Sequence, residues 1–268
     1  MPFLPLCSTI QNMKRQIIPI ILIILLLPLY ALAESYEDLT SAIESKYGIT
    51  ILIGDSCLGC EEGGLAFNTQ SSGTSAYLST LGPINYEPAI RKINDCLSEY
   101  PPDFIRNITC PGGEKGLRIL LIGGISRIAP SPPRPEILLG RTYLKDGYIN
   151  VVLAADALTD ETIHHELWHA IEYRIKAEDP EAFTAWKALN PPGFRYDPKN
   201  DQSEYRDDWF ISIKGMSYPG EDRATIWAAI YTQSAEWWNQ RPHLKQKRNE
   251  LFRIAKAVFP EYQTPKEG

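Results

Sequence analysis

The 268-residue chain carries no lysine- or arginine-rich run to offset its net charge of −6. A protein held on nucleic acid by phosphate contacts needs such a run, so that class is excluded. There is no internal repeat, which excludes solenoid and propeller arrays. Histidine is scarce, with four residues, and cysteine little more common, with five. At 44% hydrophobic and 22% charged residues, the rest is the composition of an ordinary globular protein.

The first 33 residues differ from the remainder. Lys14 and Arg15 precede "QIIPIILIILLLPLYALA", which ends in Ala31-Leu32-Ala33. A basic start, a short apolar core and small residues at the −3 and −1 positions describe a secretory signal peptide over 1–33. The absence of a cysteine at the cut excludes a lipoprotein. Removal of the leader leaves no membrane span and implies a secreted or periplasmic protein. Cys57, Cys60, Cys96 and Cys110 then remain, an even number that suggests two disulfides in an oxidising compartment. "CLGC" also has the spacing of a redox pair.

The mature region reads as one domain, 34–268, with an N-terminal α/β lobe over 34–156 and a helical lobe over 157–268. Residues 36–47 and 88–100 have helical spacing, and "ITILIG", "GLRILLIGG" and "YINVVLAA" read as buried strands. Residues 54–82 and 129–135 read as loops. Helices are expected from Asp179-Pro180, from Glu221 through Trp238, and from Leu244 through Phe259. Strands early and helices late make an α+β protein with a cleft at the junction.

At that junction lies "TIHHELWHAIEY", residues 162–173, which holds three of the four histidines. Thr159 is a good N-cap, and Asp160 and Glu161 suit the positive end of the helix dipole. Ile163, Leu167, Ala170 and Ile171 form one apolar stripe. His165 and His169, four apart, share a face and can reach one Zn²⁺ ion without strain. Glu166 is one step round the helix, placed to take a proton from a water on that ion. His164 points about 100° away from His165, which makes it a packing or rim contact and not a ligand.

A catalytic zinc needs a third protein ligand. The chain lacks the glycine and third histidine of an HExxHxxGxxH site, having Glu172 and Ile175 instead, so that class is excluded. Glu172 is a supporting or surface group, and His243 sits in a polar surface stretch. The better candidates are Glu221 and Asp222, which open a helix after Pro219-Gly220.

HExxH followed by a glutamate with a small residue three positions later, here Glu221 and Ala224, resembles the gluzincin metallopeptidases. "FISIKGMSYPGEDRATIW", together with "KYGITILIG" and "ALNPPGFRY", looks similar to bacterial zinc-binding metallopeptidases distantly akin to the anthrax lethal factor catalytic domain. The resemblance implies a zincin-like fold, one Zn²⁺ on His165, His169 and Glu221, and Glu166 as the general base. It also implies a peptide or protein substrate. Two departures matter. Lys214 stands where those relatives usually have a tyrosine that holds the oxyanion, so Tyr218 or Lys214 takes that part. Thr225 stands where they often have a glutamate. These changes leave an alternative open: a non-catalytic, zinc-containing secreted or envelope binding protein.

Overall fold

The computed structural model describes residues 36–69, 84–109, 112, 115–128, 135–199 and 207–265. The signal segment 1–33, Cys110 and most of the 129–135 loop lie outside them. The chain divides into two compact units, Met1–Leu39 and Thr40–Gly268. Of the first, only residues 36–39 are described, as the opening of helix α1 (Tyr36–Tyr47).

The second unit is α+β, with a four-stranded mixed sheet. Its strands are β1 (Thr50–Ile53), β3 (Leu117–Ile122), β7 (Tyr148–Ala154) and β6 (Gly140–Lys145), in that order. β1 and β7 run parallel to β3, and β6 pairs antiparallel to β7 at the sheet edge. β3 is buried at every position, which is why it reads as a continuous apolar run without alternation. Its one charge, Arg118, donates from Nε to Asn150 Oδ1 on the paired residue of β7, at 2.7 Å. The β6–β7 hairpin turns on Asp146-Gly147, both at positive φ, the two-residue turn whose twist matches the strands.

A three-stranded antiparallel sheet, β2 (Leu65–Asn68), β4 (Gly124–Ile128) and β5 (Pro135–Leu138), is an addition to the expected strands: β2 lies in the 54–82 stretch expected as loop, and β4 and β5 border the expected 129–135 loop. Cys57 and Cys60 sit in an apolar cluster with Leu120, Ile125, Tyr143 and Val152. Cys57, Cys60 and Cys96 are free thiols, so no disulfide occurs among the described residues. Burial pushes the Cys57 thiol up to about 12, the opposite of what a redox pair needs.

Helices α2 (Glu87–Ser98), α3 (Pro102–Arg106), α4 (Asp160–Glu178), α5 (Ile213–Ser217), α6 (Pro219–Thr232), α7 (Ala235–Asn239) and α8 (Pro242–Val258) complete the unit. Two expected helices differ. Residues 179–185 form turns, because the Asp179 carboxylate accepts from the Glu181 amide at 3.0 Å, and only Trp186–Leu189 coils, as a 3₁₀ turn. The helix expected through Trp238 breaks at Gln233, and Ser234 caps α7 by accepting from the Trp237 amide. Among the described residues no helix is long and apolar enough to cross a membrane.

Candidate metal centre

Helix α4 starts where the sequence predicts. Thr159 caps it, its hydroxyl accepting from the Thr162 amide at 3.1 Å. The expected single apolar stripe is only part of its burial. α4 packs against β6 and β7 on one side and α6 on another, so His164, His165, Glu166, Trp168 and Glu172 are buried along with Ile163, Leu167, Ala170 and Ile171. A helix enclosed in this way keeps its polar groups only where partners satisfy them.

Glu221, in the first turn of α6, meets the two histidines. Its Oε2 lies 3.0 Å from His165 Nε2 and its Oε1 lies 3.7 Å from His169 Nε2. The imidazoles stand nearly perpendicular, centroids 5.0 Å apart. One ligand atom from each of the three residues falls within 4.8 Å of the other two. Burial alone would raise the Glu221 carboxyl. Hydrogen bonds from His165 and His169, with the charges of His169 and Lys214, hold it far below the usual carboxylate range. His169 moves the other way. Burial opposes its charging, but the Glu221 contact and the nearby Glu166 and Glu172 carboxylates outweigh that and raise it.

Asp222, the other candidate, turns away from the histidines. It is fully buried, and its Oδ2 accepts from Lys247 Nζ at 2.8 Å, the Tyr196 hydroxyl at 2.6 Å and Trp186 Nε1 at 3.0 Å. Glu166 lies against the edge strand. The Thr142 hydroxyl is 2.7 Å from its Oε2 and 3.0 Å from its main-chain oxygen. Gly140 makes this approach possible: a Cβ there would lie 2.6 Å from Glu166 Cγ.

Lys214, at the start of α5, places its ammonium 3.0 Å from both His165 Nε2 and Glu221 Oε2. Its side chain is more than half exposed. Tyr218 is exposed at the rim. Lys214, Tyr218, Glu166, His169 and Glu221 line a cavity of about 470 Å³. Leu138, Gly140, His165 and Thr225 line a second cavity of similar volume that shares Glu166 and Lys214 with it. Thr225 donates to the Asp222 carbonyl at 2.9 Å and orients neither histidine.

Glu172 is the supporting group the sequence allowed for, but sequence reasoning missed its partners and the other supports of this site. Glu172 is buried and binds Arg223 bidentately, Nε to Oε2 at 2.9 Å and Nη2 to Oε1 at 2.7 Å, while Trp168 Nε1 donates to Oε2 at 3.0 Å. No spacing rule pairs Thr142 with Glu166 or Lys247 with Asp222. His243 stacks on Trp209 at 3.5 Å, remote from the other histidines in sequence and not in their cluster.

Compared with protein-family models, curated proteins and solved structures, the chain matches none. The chemistry therefore rests on these residues.

Proposed function

We propose that the protein is an exported, zinc-dependent metallopeptidase of zincin-like fold, with His165, His169 and Glu221 as the ligands of one Zn²⁺. The observation that carries this reading is the approach of the Glu221 carboxylate to both imidazoles of an HExxH helix. Two imidazole nitrogens and one carboxylate fit a catalytic zinc, which takes three protein ligands and leaves a position for water. Such an ion supplies a water acidified toward pKa 7 and polarises the scissile carbonyl.

The chain's own groups do the rest. Glu166, held by Thr142, takes a proton from the attacking water and delivers it to the leaving amine. Among the described residues β6 is paired on one side only, and it borders the cavity through Gly140, Arg141 and Thr142, so that edge suits an extended peptide. Lys214 and Tyr218 lie on the same wall as Glu221 and supply the cation or hydroxyl that would steady the developing oxyanion.

A second reading is a non-catalytic zinc protein. Lys214 motivates it: it replaces the tyrosine expected to hold the oxyanion, and its ammonium lies 3.0 Å from both His165 Nε2 and Glu221 Oε2. Zinc analysis and a peptide-library digest separate the two. Glu166→Gln should keep the wild-type zinc content and lose about 10²–10⁴-fold in cleavage. His165→Ala/His169→Ala should lose one equivalent of zinc. Zinc in the wild type with no cleavage of any library peptide would leave the binding reading.

A further inference from the structure

A second group of metal-ligating side chains lies outside this site, and nothing in the peptidase reading uses it. His164 faces α2. There one of its ring nitrogens, the Cys96 thiol and the Glu99 carboxylate offer atoms within 4.8 Å of one another. Cys96 is on the last turn of α2 and Glu99 is that helix's C-cap, so the two are one turn apart.

The His164 ring is fixed. Its Nδ1 lies 2.8 Å from the Tyr100 hydroxyl, which itself accepts from Trp227 Nε1 at 3.1 Å. The ring stacks on Tyr231, centroids 4.4 Å apart and 11° from parallel. A metal-binding imidazole characteristically has its other nitrogen held by a polar partner in this way. The outcome is a fully buried Nε2 with no hydrogen-bond partner, 3.5 Å from Glu99 Oε1. An orphaned buried polar atom costs about 1–3 kcal/mol, so its direction demands a reason.

We propose that Cys96, Glu99 and His164 form a second cation site, selective for a thiolate-accepting divalent ion such as Zn²⁺, which ties the end of α2 to α4. Sulfur, imidazole and carboxylate suit Zn²⁺ or Co²⁺ and not Ca²⁺ or Mg²⁺. Tetrahedral ligands about 2.0–2.3 Å from zinc stand roughly 3.3–3.8 Å apart, close to the spacing already present between His164 and Glu99. Cys96 and His164 are buried, whereas the Glu99 side chain is 44% exposed and opens the site to entering ions. Without an ion, burial holds the Cys96 thiol at about 12, protonated and unreactive; binding would release that proton to solvent. This site stands apart from the proposed function, since its residues are not those of the HExxH cluster.

Co²⁺ titration of the reduced full chain tests it, because only a sulfur ligand gives a thiolate-to-cobalt charge-transfer band in the near ultraviolet. The band should appear in the wild type, vanish in Cys96→Ser, and persist in His165→Ala/His169→Ala. Glu99→Gln should weaken Co²⁺ binding read at that band by about tenfold or more. Absence of the band in the folded wild type overturns the proposal, whatever the variants do. A band that survives Cys96→Ser assigns the sulfur to another cysteine and overturns it too.

Discussion

Glu221 and Asp222 are neighbours in the chain and face opposite ways: Glu221 Oε2 is 3.0 Å from His165 Nε2, while Asp222 Oδ2 is 2.8 Å from Lys247 Nζ. The second contact explains the precision of the first. α6 begins at Pro219, and its first turn is pinned to α8 through Lys247 and to the 3₁₀ turn through Trp186. Glu221 therefore projects from a turn that cannot rotate.

The Asp222–Lys247 pair predicts a non-additive stability cycle. Both side chains are fully buried, and burial pushes the carboxyl up and the ammonium down, so each is tolerated only beside the other. Asp222→Asn or Lys247→Met alone should cost about 3–5 kcal/mol in urea unfolding. The Asp222→Asn/Lys247→Met double variant should cost far less than the sum. Additive losses would show that the pair is not coupled.

Gly140 predicts a loss of turnover without loss of metal. In Gly140→Ala the new methyl would meet Glu166 at 2.6 Å from Cγ and 3.0 Å from Oε1. Glu166 must shift, and its bond to Thr142 stretches. A displacement of about 1 Å at a reacting group costs roughly 10²-fold in rate. Cleavage should fall by that order at wild-type zinc content, and an unchanged rate would remove Glu166 from the chemistry.

These contacts show what the sequence holds and what it hides. The α4 histidines, their cap and the first turn of α6 were legible because helical spacing and capping chemistry are local. So were the buried strands β1, β3 and β7. Glu221 and Asp222 could not be separated, because the choice depends on Lys247, 25 residues on and packed from α8. The β6–β7 hairpin carries a local signal in Asp146-Gly147, the residue pair that a two-residue turn favours. The second sheet had less: β2 and β4 pair although helices α2 and α3 and strand β3 lie between them in the chain, and register of that kind is set by distant partners.

Lys214 predicts a trade between metal affinity and turnover. Its ammonium stands 3.0 Å from Glu221 Oε2 and competes with a cation for that oxygen. An exposed ion pair contributes about 0.2–1 kcal/mol, so Lys214→Met should tighten zinc roughly 1.4- to 5-fold in chelator competition. If Lys214 also steadies the oxyanion, kcat falls in the same variant while KM changes little. Weaker zinc binding in Lys214→Met would mean that the ammonium supports the site and does not compete for it.

Glu172 predicts acid lability of the metal-free protein. Burial alone would raise its carboxyl, but the Arg223 guanidinium and the Lys176 ammonium outweigh this and lower it from 4.5 to about 2. A carboxyl depressed on folding stabilises the native state above its unfolded pKa, and that stability drains away as the pH falls from about 4.5 toward 2. The shift corresponds to about 3 kcal/mol. His169, raised on folding, has the opposite sign: its contribution is complete below 6.5 and fades as the pH rises, so it cannot mask the acid limb. Urea unfolding in chelator at pH 7 and pH 3 should show the wild type losing most of this increment. Arg223→Met should be weaker at pH 7 and flatter between the two, because the stronger of the two cationic partners of Glu172 is already gone and only Lys176 remains. Parallel losses in both proteins would place the acid sensitivity in some group other than Glu172.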